Sequence, residues 1–409
     1  MKFTFLDGAT GTNLMKAGMP QGVCVEKWVL DNPNVIISLQ EKYVEGGSDI
    51  VYSSTFGANP ISLKKYGLED KTEEMNKALV SLSKKASKGK AKVAGDISST
   101  GCLLAPMGDS TYEEIKKAYS IQAKALDEGG VDLFVLETFS SLAECLAAFD
   151  GVRAVSQKDI MVSVTVESSG KTLCGDSPES CLVALSARGA VAFGVNCSSG
   201  IESMAKIIGN LGLISNVPLI SKPNAGLPVL VNGENVFPDS AENFAEKYDS
   251  LINAGASFVG GCCGTTPEHI KALHDKFENA TPCKTENYNV YACSNREIFK
   301  IEDRSIWENP AERIPCDEDV LFSVPEKDEA DYFRLFIEKE EDIDNFIECM
   351  SSIETPLVLG ASSISLFEKA VSVYVGRCIY DEECGFDKKQ VEILKNKYGF
   401  IVSSDIIDG

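Results

Sequence analysis

The chain has 409 residues, of which 44% are hydrophobic, so it can build a large core and more than one domain. Its net charge of −22 argues against nucleic acid and anionic membranes as partners. No apolar run is long enough to span a membrane, and residues 1–7 do not resemble a signal peptide. We therefore expect the fourteen cysteines to be reduced and the protein to be cytoplasmic.

Eight short apolar segments predict β-strands, and helical patterns follow them along the chain. The strands are expected at residues 3–6, 49–53, 92–94, 133–136, 160–166, 191–195, 218–221 and 256–259. The clearest helices are expected at residues 33–45, 69–86, 111–128, 142–156 and 267–278. Eight such repeats in under 290 residues predict an α/β protein of the (β/α)8 TIM barrel type.

The end of the chain differs in composition and pattern. The last 120 residues carry 13 basic and 27 acidic side chains. Short strands are expected at residues 320–324, 356–359, 378–380 and 400–402, and helices at 342–350 and 366–374. We predict a barrel over residues 1–280, a polar linker over 281–289 and a small acidic α/β domain over 290–409.

Three cysteines fall at the ends of predicted strands. Cys262 and Cys263 are adjacent between glycines after strand eight, and Cys197 follows strand six. In a barrel only strand seven separates them, so the thiols can converge on a zinc ion with an open fourth position. A redox switch at the adjacent pair is the alternative. The chain has only two histidines, His269 and His274, and both are expected to be structural.

Two acids also follow predicted strands directly. Asp7 and Glu137 would face the mouth of a barrel, where they can bind a substrate ammonium group. The alternative is that they cap loops or pair with helices. Residues 7–12 also present several backbone N–H groups at which a carboxylate can dock.

Over residues 1–280 the chain resembles the homocysteine S-methyltransferase family, and it is most similar to the homocysteine-binding module of cobalamin-dependent methionine synthase. The matching segments are Asp7-Gly8-Ala9-Thr10-Gly11-Thr12, Ser54-Thr55-Phe56-Gly57-Ala58-Asn59, Gly95-Asp96, Leu136-Glu137-Thr138, Gly194-Val195-Asn196-Cys197, Pro223-Asn224-Ala225-Gly226 and Gly260-Gly261-Cys262-Cys263-Gly264.

The resemblance implies an enzyme that binds homocysteine as a zinc thiolate and methylates it to methionine. It implies that Cys197, Cys262 and Cys263 bind zinc and that Asn224 is the fourth ligand when no substrate is bound. It also implies that Asp7 and Glu137 hold the amino acid end of homocysteine, with the Gly8 and Ala9 backbone near its carboxylate. The methyl donor it implies is methylcobalamin.

The resemblance does not extend to the last 120 residues. They lack the Asp-x-His-x-x-Gly element that binds cobalamin, and residues 356–378 are only weakly similar to part of a folate-binding barrel. We therefore expect a degenerate remnant of a folate module here, and a separate corrinoid protein that supplies methylcobalamin in trans. Two alternatives stay open: a thiol methyltransferase with S-methylmethionine or another small donor, and a non-catalytic zinc and thiol-binding scaffold.

Overall fold

The computed structural model describes residues 2–198, 200–231, 234–283, 287–324 and 332–406. Its first part contains ten strands, eight of which form one parallel sheet. The strands are β1 (Thr4–Phe5), β2 (Ile50–Tyr52), β3 (Lys92–Ile97), β4 (Leu133–Phe139), β5 (Ile160–Val164), β6 (Ala192–Cys197), β7 (Leu219–Pro223), β8 (Val229–Val231), β9 (Glu234–Val236) and β10 (Ala256–Val259).

The parallel sheet closes on itself. Its strands run in the order β1-β10-β7-β6-β5-β4-β3-β2. The two ends meet where Leu6 pairs with Ile50, and the Asp49 N–H donates to the Phe5 carbonyl at 2.7 Å. The predicted (β/α)8 barrel is confirmed, and the antiparallel pair β8–β9 is an addition in the loop after β7.

Helices surround the barrel. They are α1 (Gly11–Lys16), α2 (Val25–Asp31), α3 (Pro33–Glu45), α4 (Pro60–Lys64), α5 (Thr72–Ser87), α6 (Tyr112–Glu128), α7 (Leu142–Arg153), α8 (Pro178–Ala187), α9 (Ile201–Ile214), α10 (Ala241–Lys247), α11 (Asp249–Asn253) and α12 (Pro267–Phe277). Polar caps fix several helix starts: Thr111 and Glu114 form a capping box at α6, and Ser177 caps α8. In the described part of the chain no helix has the length and apolarity needed to cross a bilayer.

The barrel has two apolar layers. Alternate strand residues point inward, among them Leu6, Val135 and Ile220, and fill the barrel interior. The others point outward and pack against the helices, which gives the larger core. This packed framework leaves the carboxyl ends of the strands to carry the polar side chains described below.

The last part of the chain has a hairpin followed by a parallel sheet. The strands are β11 (Val290–Cys293), β12 (Ile298–Ile301), β13 (Arg313–Pro315), β14 (Phe333–Ile337), β15 (Leu357–Ala361) and β16 (Ile379–Tyr380). The helices are α13 (Ser305–Glu308), α14 (Val320–Ser323), α15 (Asp342–Cys349), α16 (Ile364–Val373) and α17 (Lys388–Tyr398). The sheet order β13-β14-β15-β16 follows the chain order, as in a segment of a barrel.

One strand prediction in this part is wrong, and the strand predicted at residues 400–402 is reduced to a single parallel bridge between Ile401 and Ile379. Residues 320–324 form helix α14 rather than a strand, with Val320 buried and Phe322 fully at the surface. A short apolar run has no periodicity that separates a strand from a helix, so the pattern was ambiguous. The hairpin β11–β12 and the central strand β14 have no counterpart among the predicted elements.

The last part of the chain packs on the barrel beside α8. Cys293 joins the barrel core, and Asn295 Nδ2 donates to Asp176 Oδ1 at 2.9 Å. The Arg188 guanidinium lies over the Tyr398 ring, 5.4 Å from its centroid. Residues 284–286 of the predicted linker lie outside the described residues, and the division into domains stays a prediction.

Candidate active site

The three predicted thiols meet at one point of the barrel mouth. Cys197 is the last residue of β6, and Cys262 and Cys263 lie in the turn after β10. The Cys197 Sγ atom is 3.1 Å from that of Cys262 and 3.8 Å from that of Cys263. Among the described residues this is the one group of three or more cysteine, histidine or acidic side chains close enough to hold a metal ion.

The donor set fits zinc. With zinc–sulfur bonds of about 2.3 Å, tetrahedral geometry places two ligand sulfurs about 3.8 Å apart. The Cys197–Cys263 distance matches this value, and the Cys197–Cys262 distance is shorter. Asn224 directly follows β7, and its buried Oδ1 atom has no hydrogen-bond donor among the described residues. The residues on either side of it, Pro223 and Ala225, share backbone hydrogen bonds with Cys262 and Cys263, and the role of Asn224 as fourth ligand stays a prediction.

The Cys197 thiol lies within hydrogen-bonding distance of both other thiols. Hydrogen bonds from Cys197 and Cys262 lower the pKa of the Cys263 thiol to about 3. Hydrogen bonding to Cys262 and Cys263 raises the pKa of Cys197 well above its usual range. The contacts among the thiols therefore favour ionisation at Cys263, and a cation at this point would favour ionisation of all three.

Strained backbone surrounds the cluster. Thr138, Cys197 and Ser198 have φ angles of 63°, 58° and 58°, a region that non-glycine residues rarely adopt. The Asn196 side chain stabilises Thr138, because its Oδ1 accepts from the Thr138 N–H at 3.0 Å and its Nδ2 donates to Thr138 Oγ1 at 2.7 Å. The same Nδ2 contacts Cys262 Sγ at 3.8 Å. Strain held in this way is typical of functional sites.

Two glycines allow the strand ends to approach. A Cβ atom on Gly194 would lie 1.9 Å from the Ile220 carbonyl oxygen, so only glycine lets β6 pack this closely on β7. Gly264 has a φ of +82°, and its Cβ would meet the Phe237 side chain at 2.3 Å. Gly194 lies in the strand that ends at Cys197, and Gly264 directly follows Cys263, so a side chain at either position would displace a thiol.

A cavity of about 300 Å³ opens beside the thiols. Its charged and cysteine lining residues are Asp7, Glu26, Asp96, Glu137, Lys222, Cys197, Cys262 and Cys263. The predicted acids Asp7 and Glu137 thus lie in one cavity with the predicted zinc ligands. No histidine lines it among the described residues; His269 instead bonds to the Asp239 carbonyl beneath α12.

A buried lysine stands between the two predicted acids. Lys222 Nζ lies 3.1 Å from Asp7 Oδ1 and 3.6 Å from Glu137 Oε2, and it sits 3.6 Å from the centroid of the Tyr52 ring. Burial raises the pKa of Glu137 to about 7 and also raises that of Asp7, although Lys222 partly offsets the effect. Burial opposes the charge of Lys222, but Tyr52 and the acids raise its pKa well above the usual range.

The loop after β1 forms one wall of the cavity. The Ala9 N–H donates to Thr265 Oγ1 at 3.0 Å, and the Ala9 carbonyl accepts from Tyr43 Oη and Asn13 Nδ2. Gly8 lies so close to Tyr43 that a Cβ atom there would be 2.7 Å from its hydroxyl. Both residues of the predicted carboxylate-binding loop are therefore held rigidly at the cavity.

Comparison with known proteins agrees with this geometry. The family model described as homocysteine S-methyltransferase matches residues 4–277, which is more than half of the chain. The chain belongs to the homocysteine S-methyltransferase family. A protein named methionine synthase from Mycobacterium leprae is 32% identical over 285 residues, or 65% of this chain. The chain spans only 24% of the length of that relative.

Solved structures support the fold. The metallated form of the homocysteine methyltransferase MmuM from Escherichia coli aligns with a TM-score of 0.58 and 23% identity, over 68% of this chain and 96% of that one. Its oxidized form aligns with a TM-score of 0.57 and 24% identity, and the alignment again covers 68% of this chain and 96% of that one. At this level of identity, the similarity shows only that these structures share the barrel fold with this chain.

Sequence reasoning missed three residues of this site: Asn196, Lys222 and Asp96. Each lies within or directly beside a segment that carries the family resemblance, but nothing local marks its side chain as functional. Their partners are distant in the chain: Lys222 pairs with Asp7, and Asn196 pairs with Thr138. Only the closed barrel brings these positions together.

Proposed function

We propose that this protein is a zinc-dependent S-methyltransferase that methylates homocysteine to methionine. The convergence of Cys197, Cys262 and Cys263 beside a cavity lined with acids, in a barrel of this family, carries the proposal. Bound by three thiolates, zinc supplies a Lewis acid that keeps the thiol of a fourth ligand deprotonated near neutral pH.

The side chains of the cavity fit the rest of the substrate. Glu137 lines the cavity, and its Oε2 atom is 3.6 Å from Lys222 Nζ but accepts no hydrogen bond at normal distance, so it can accept one from the substrate ammonium. Asp7 adds negative charge beside it, and Asn196 holds Cys262 in place. In the reaction a sulfur–methyl bond forms while the donor–methyl bond breaks, and the thiol proton passes to solvent.

The methyl donor we propose is methylcobalamin carried by a separate corrinoid protein. The identity of 32% to a protein named methionine synthase supports this choice over a small donor. Such a donor must approach through the open end of the cavity, past exposed apolar residues on the loops at the mouth, including Phe56 and Leu227. Because the three thiols must stay reduced, we place the protein in the cytoplasm.

Methionine formation from L-homocysteine tests this function. Zinc-loaded protein is supplied in turn with methylcobalamin, S-methylmethionine and betaine. We expect slow turnover with free methylcobalamin and faster turnover with a cognate corrinoid protein, which supplies proximity. Turnover with S-methylmethionine or betaine but none with methylcobalamin would assign a different donor. Binding of zinc and thiol without turnover from any of the three donors would favour the non-catalytic scaffold.

The metal assignment has its own test. We expect one zinc per chain, and Cys262→Ser should lose most of it while keeping the fold, because the barrel core does not depend on the thiols. Cys283→Ser is the matched control, since Cys283 is exposed and outside the site. Undiminished zinc in Cys262→Ser, measured by elemental analysis, would contradict the assignment.

A further inference from the structure

The loop after β5, residues 165–177, contacts the segment of chain that carries Glu137. Glu137 and Thr138 line the cavity, and the chain then runs through Ser140 to α7. The Cys174 N–H of the loop donates to the Ser140 carbonyl at 3.2 Å. The backbone at Thr138 is strained, with a φ of 63°, and such a conformation persists only where its surroundings hold it. The position of Glu137 therefore depends in part on this loop.

Asp176 links the loop after β5 to α7 and to the last part of the chain. Its side chain is buried, and its Oδ2 atom accepts from the Leu142 N–H at 2.7 Å and from Thr172 Oγ1 at 3.0 Å. Because Leu142 is the first residue of α7, this bond joins the loop to the helix that follows Glu137. The Oδ1 atom accepts from Asn295 Nδ2 at 2.9 Å. A buried carboxylate is stable only when donors such as these surround it.

Asn295 is positioned by the last part of the chain. It lies in the turn between β11 and β12, and its carbonyl accepts from the Ser177 N–H at 2.9 Å. Directly before this turn, Cys293 exchanges two backbone hydrogen bonds with Arg377, at 2.8 and 3.0 Å. The Cys293 carbonyl also accepts from Tyr374 Oη at 3.1 Å. The fold of the last part of the chain therefore determines where the Asn295 amide lies.

A cleft of about 60 Å³ lies where the last part of the chain meets the barrel. The barrel contributes residues 103–107, Ser141 and Cys174 to its lining, and the last part of the chain contributes Met350 and Val375. These barrel residues follow the carboxyl ends of β3, β4 and β5. The last part of the chain thus contacts loops of the face that carries the cavity.

We propose that the last part of the chain holds the substrate site in shape, with Asn295 and Asp176 as the positioning residues. The bond between them fixes the loop after β5, and this loop fixes the segment that carries Glu137. The inference rests on the proposed function and gives the last part of the chain a role in binding homocysteine. Zinc binding should be unaffected, since Cys197 is held by the ladder between β6 and β7.

An exchange of the two side chains tests the link. Asn295→Asp places a second carboxylate against Asp176. It should weaken homocysteine binding to the zinc-loaded full chain about 3- to 30-fold, the range for residues that act on a site without touching its ligand. The double variant Asp176→Asn, Asn295→Asp restores an amide–carboxylate hydrogen bond with the roles reversed, so it should recover most of the lost affinity. Asn295→Ala removes the bond without adding charge and serves if Asn295→Asp does not fold.

Tyr398→Leu is the control, because it removes the ring that packs on Arg188 at the other end of α8. It should lower the melting temperature and leave homocysteine affinity unchanged. With methylcobalamin as donor, Asn295→Asp should raise the KM for homocysteine and leave kcat unchanged, as expected when binding alone is weakened. A smaller folded fraction would instead lower kcat and leave KM unchanged.

Amide hydrogen exchange provides a readout that needs no substrate. Residues 138–142 and 165–177 should exchange faster in Asn295→Asp and at the wild-type rate in the double variant. Wild-type affinity and exchange in Asn295→Asp or Asn295→Ala would overturn the inference. So would a folded double variant as weak as Asn295→Asp, or an equal loss of affinity in Tyr398→Leu. The proposed function fails separately, if the wild-type chain binds no homocysteine, and the exchange rates then still decide whether the link exists.

Discussion

At the scale of single residues, the site depends on one buried amide. The Asn196 side chain connects three strands: it bonds to Thr138 after the regular part of β4, accepts from Ser163 Oγ on β5 at 2.9 Å and contacts Cys262 after β10. It thereby fixes both a strained backbone and a candidate zinc ligand. Groups that orient metal ligands in this way contribute measurably to metal affinity.

Asn196→Ala should lower zinc affinity about 10- to 100-fold. It should also lower the free energy of unfolding by roughly 1–3 kcal/mol, because the partly buried Thr138 N–H loses its acceptor. Competition with a chelator and urea denaturation measure the two effects. Ser163→Ala is the control, since it removes one bond to Asn196 and leaves the contacts to Thr138 and Cys262. Zinc affinity equal in Asn196→Ala and wild type would show that the contact to Cys262 is incidental.

At the scale of elements, the packing of β6 against β7 determines where Cys197 lies. The two strands pair in parallel from Phe193–Leu219 to Cys197–Pro223. Gly194 is near the start of this ladder, against the Ile220 carbonyl. Because strand positions are rigidly linked along a ladder, a displacement at Gly194 reaches the thiol three residues away.

Gly194→Ala should therefore destabilise the fold by about 1–3 kcal/mol, the usual effect of overpacking, and reduce zinc content. Gly209→Ala on α9 is the matched control, since its Cβ atom meets no other atom within 4 Å. There alanine should stabilise the helix by roughly 0.5–1 kcal/mol. Thermal unfolding compares the two variants, and equal melting temperatures would contradict the close approach of β6 to β7.

At the scale of the whole molecule, the last part of the chain covers one side of the barrel. Cys293 lies in the barrel core, and the Ser177 N–H donates to the Asn295 carbonyl at 2.9 Å. Arg188 forms a buried ion pair with Asp150, at 2.7 and 2.8 Å, and its guanidinium packs against Tyr398 of α17. The acidic tail thus shares apolar and polar contacts with α8.

A chain that ends at residue 283 should still bind one zinc, because all three thiols precede that point. It should unfold at a lower temperature than the full chain, since the surface around α8 and Arg188 becomes exposed to water. Asn295→Ala in the full chain is the control, because it removes one interface hydrogen bond and keeps the apolar cover. Equal melting temperatures for the shortened and full chains would show that residues 290–409 are an independent domain.

Much of this architecture follows from sequence alone. Eight apolar segments with helices between them predict a closed barrel, and the carboxyl ends of parallel strands meet at one face. Those two facts suffice to bring Cys197, Cys262 and Cys263 toward one point, together with Asp7 and Glu137. The end of a strand can be recognised from the residues next to it in the chain, so a single sequence is enough to locate these positions.

Only the tertiary structure decided how those groups are partnered. Lys222 engages Asp7 across 215 positions of the chain and also lies 3.6 Å from Glu137 Oε2, while Asp96 Oδ1 accepts no hydrogen bond from a described residue. Similarly, residues 320–324 form a helix while Phe333–Ile337 occupies the centre of the second sheet. A side chain's hydrogen-bond partner, and the choice between strand and helix for a short apolar run, depend on residues distant in sequence, and no local pattern contains that information.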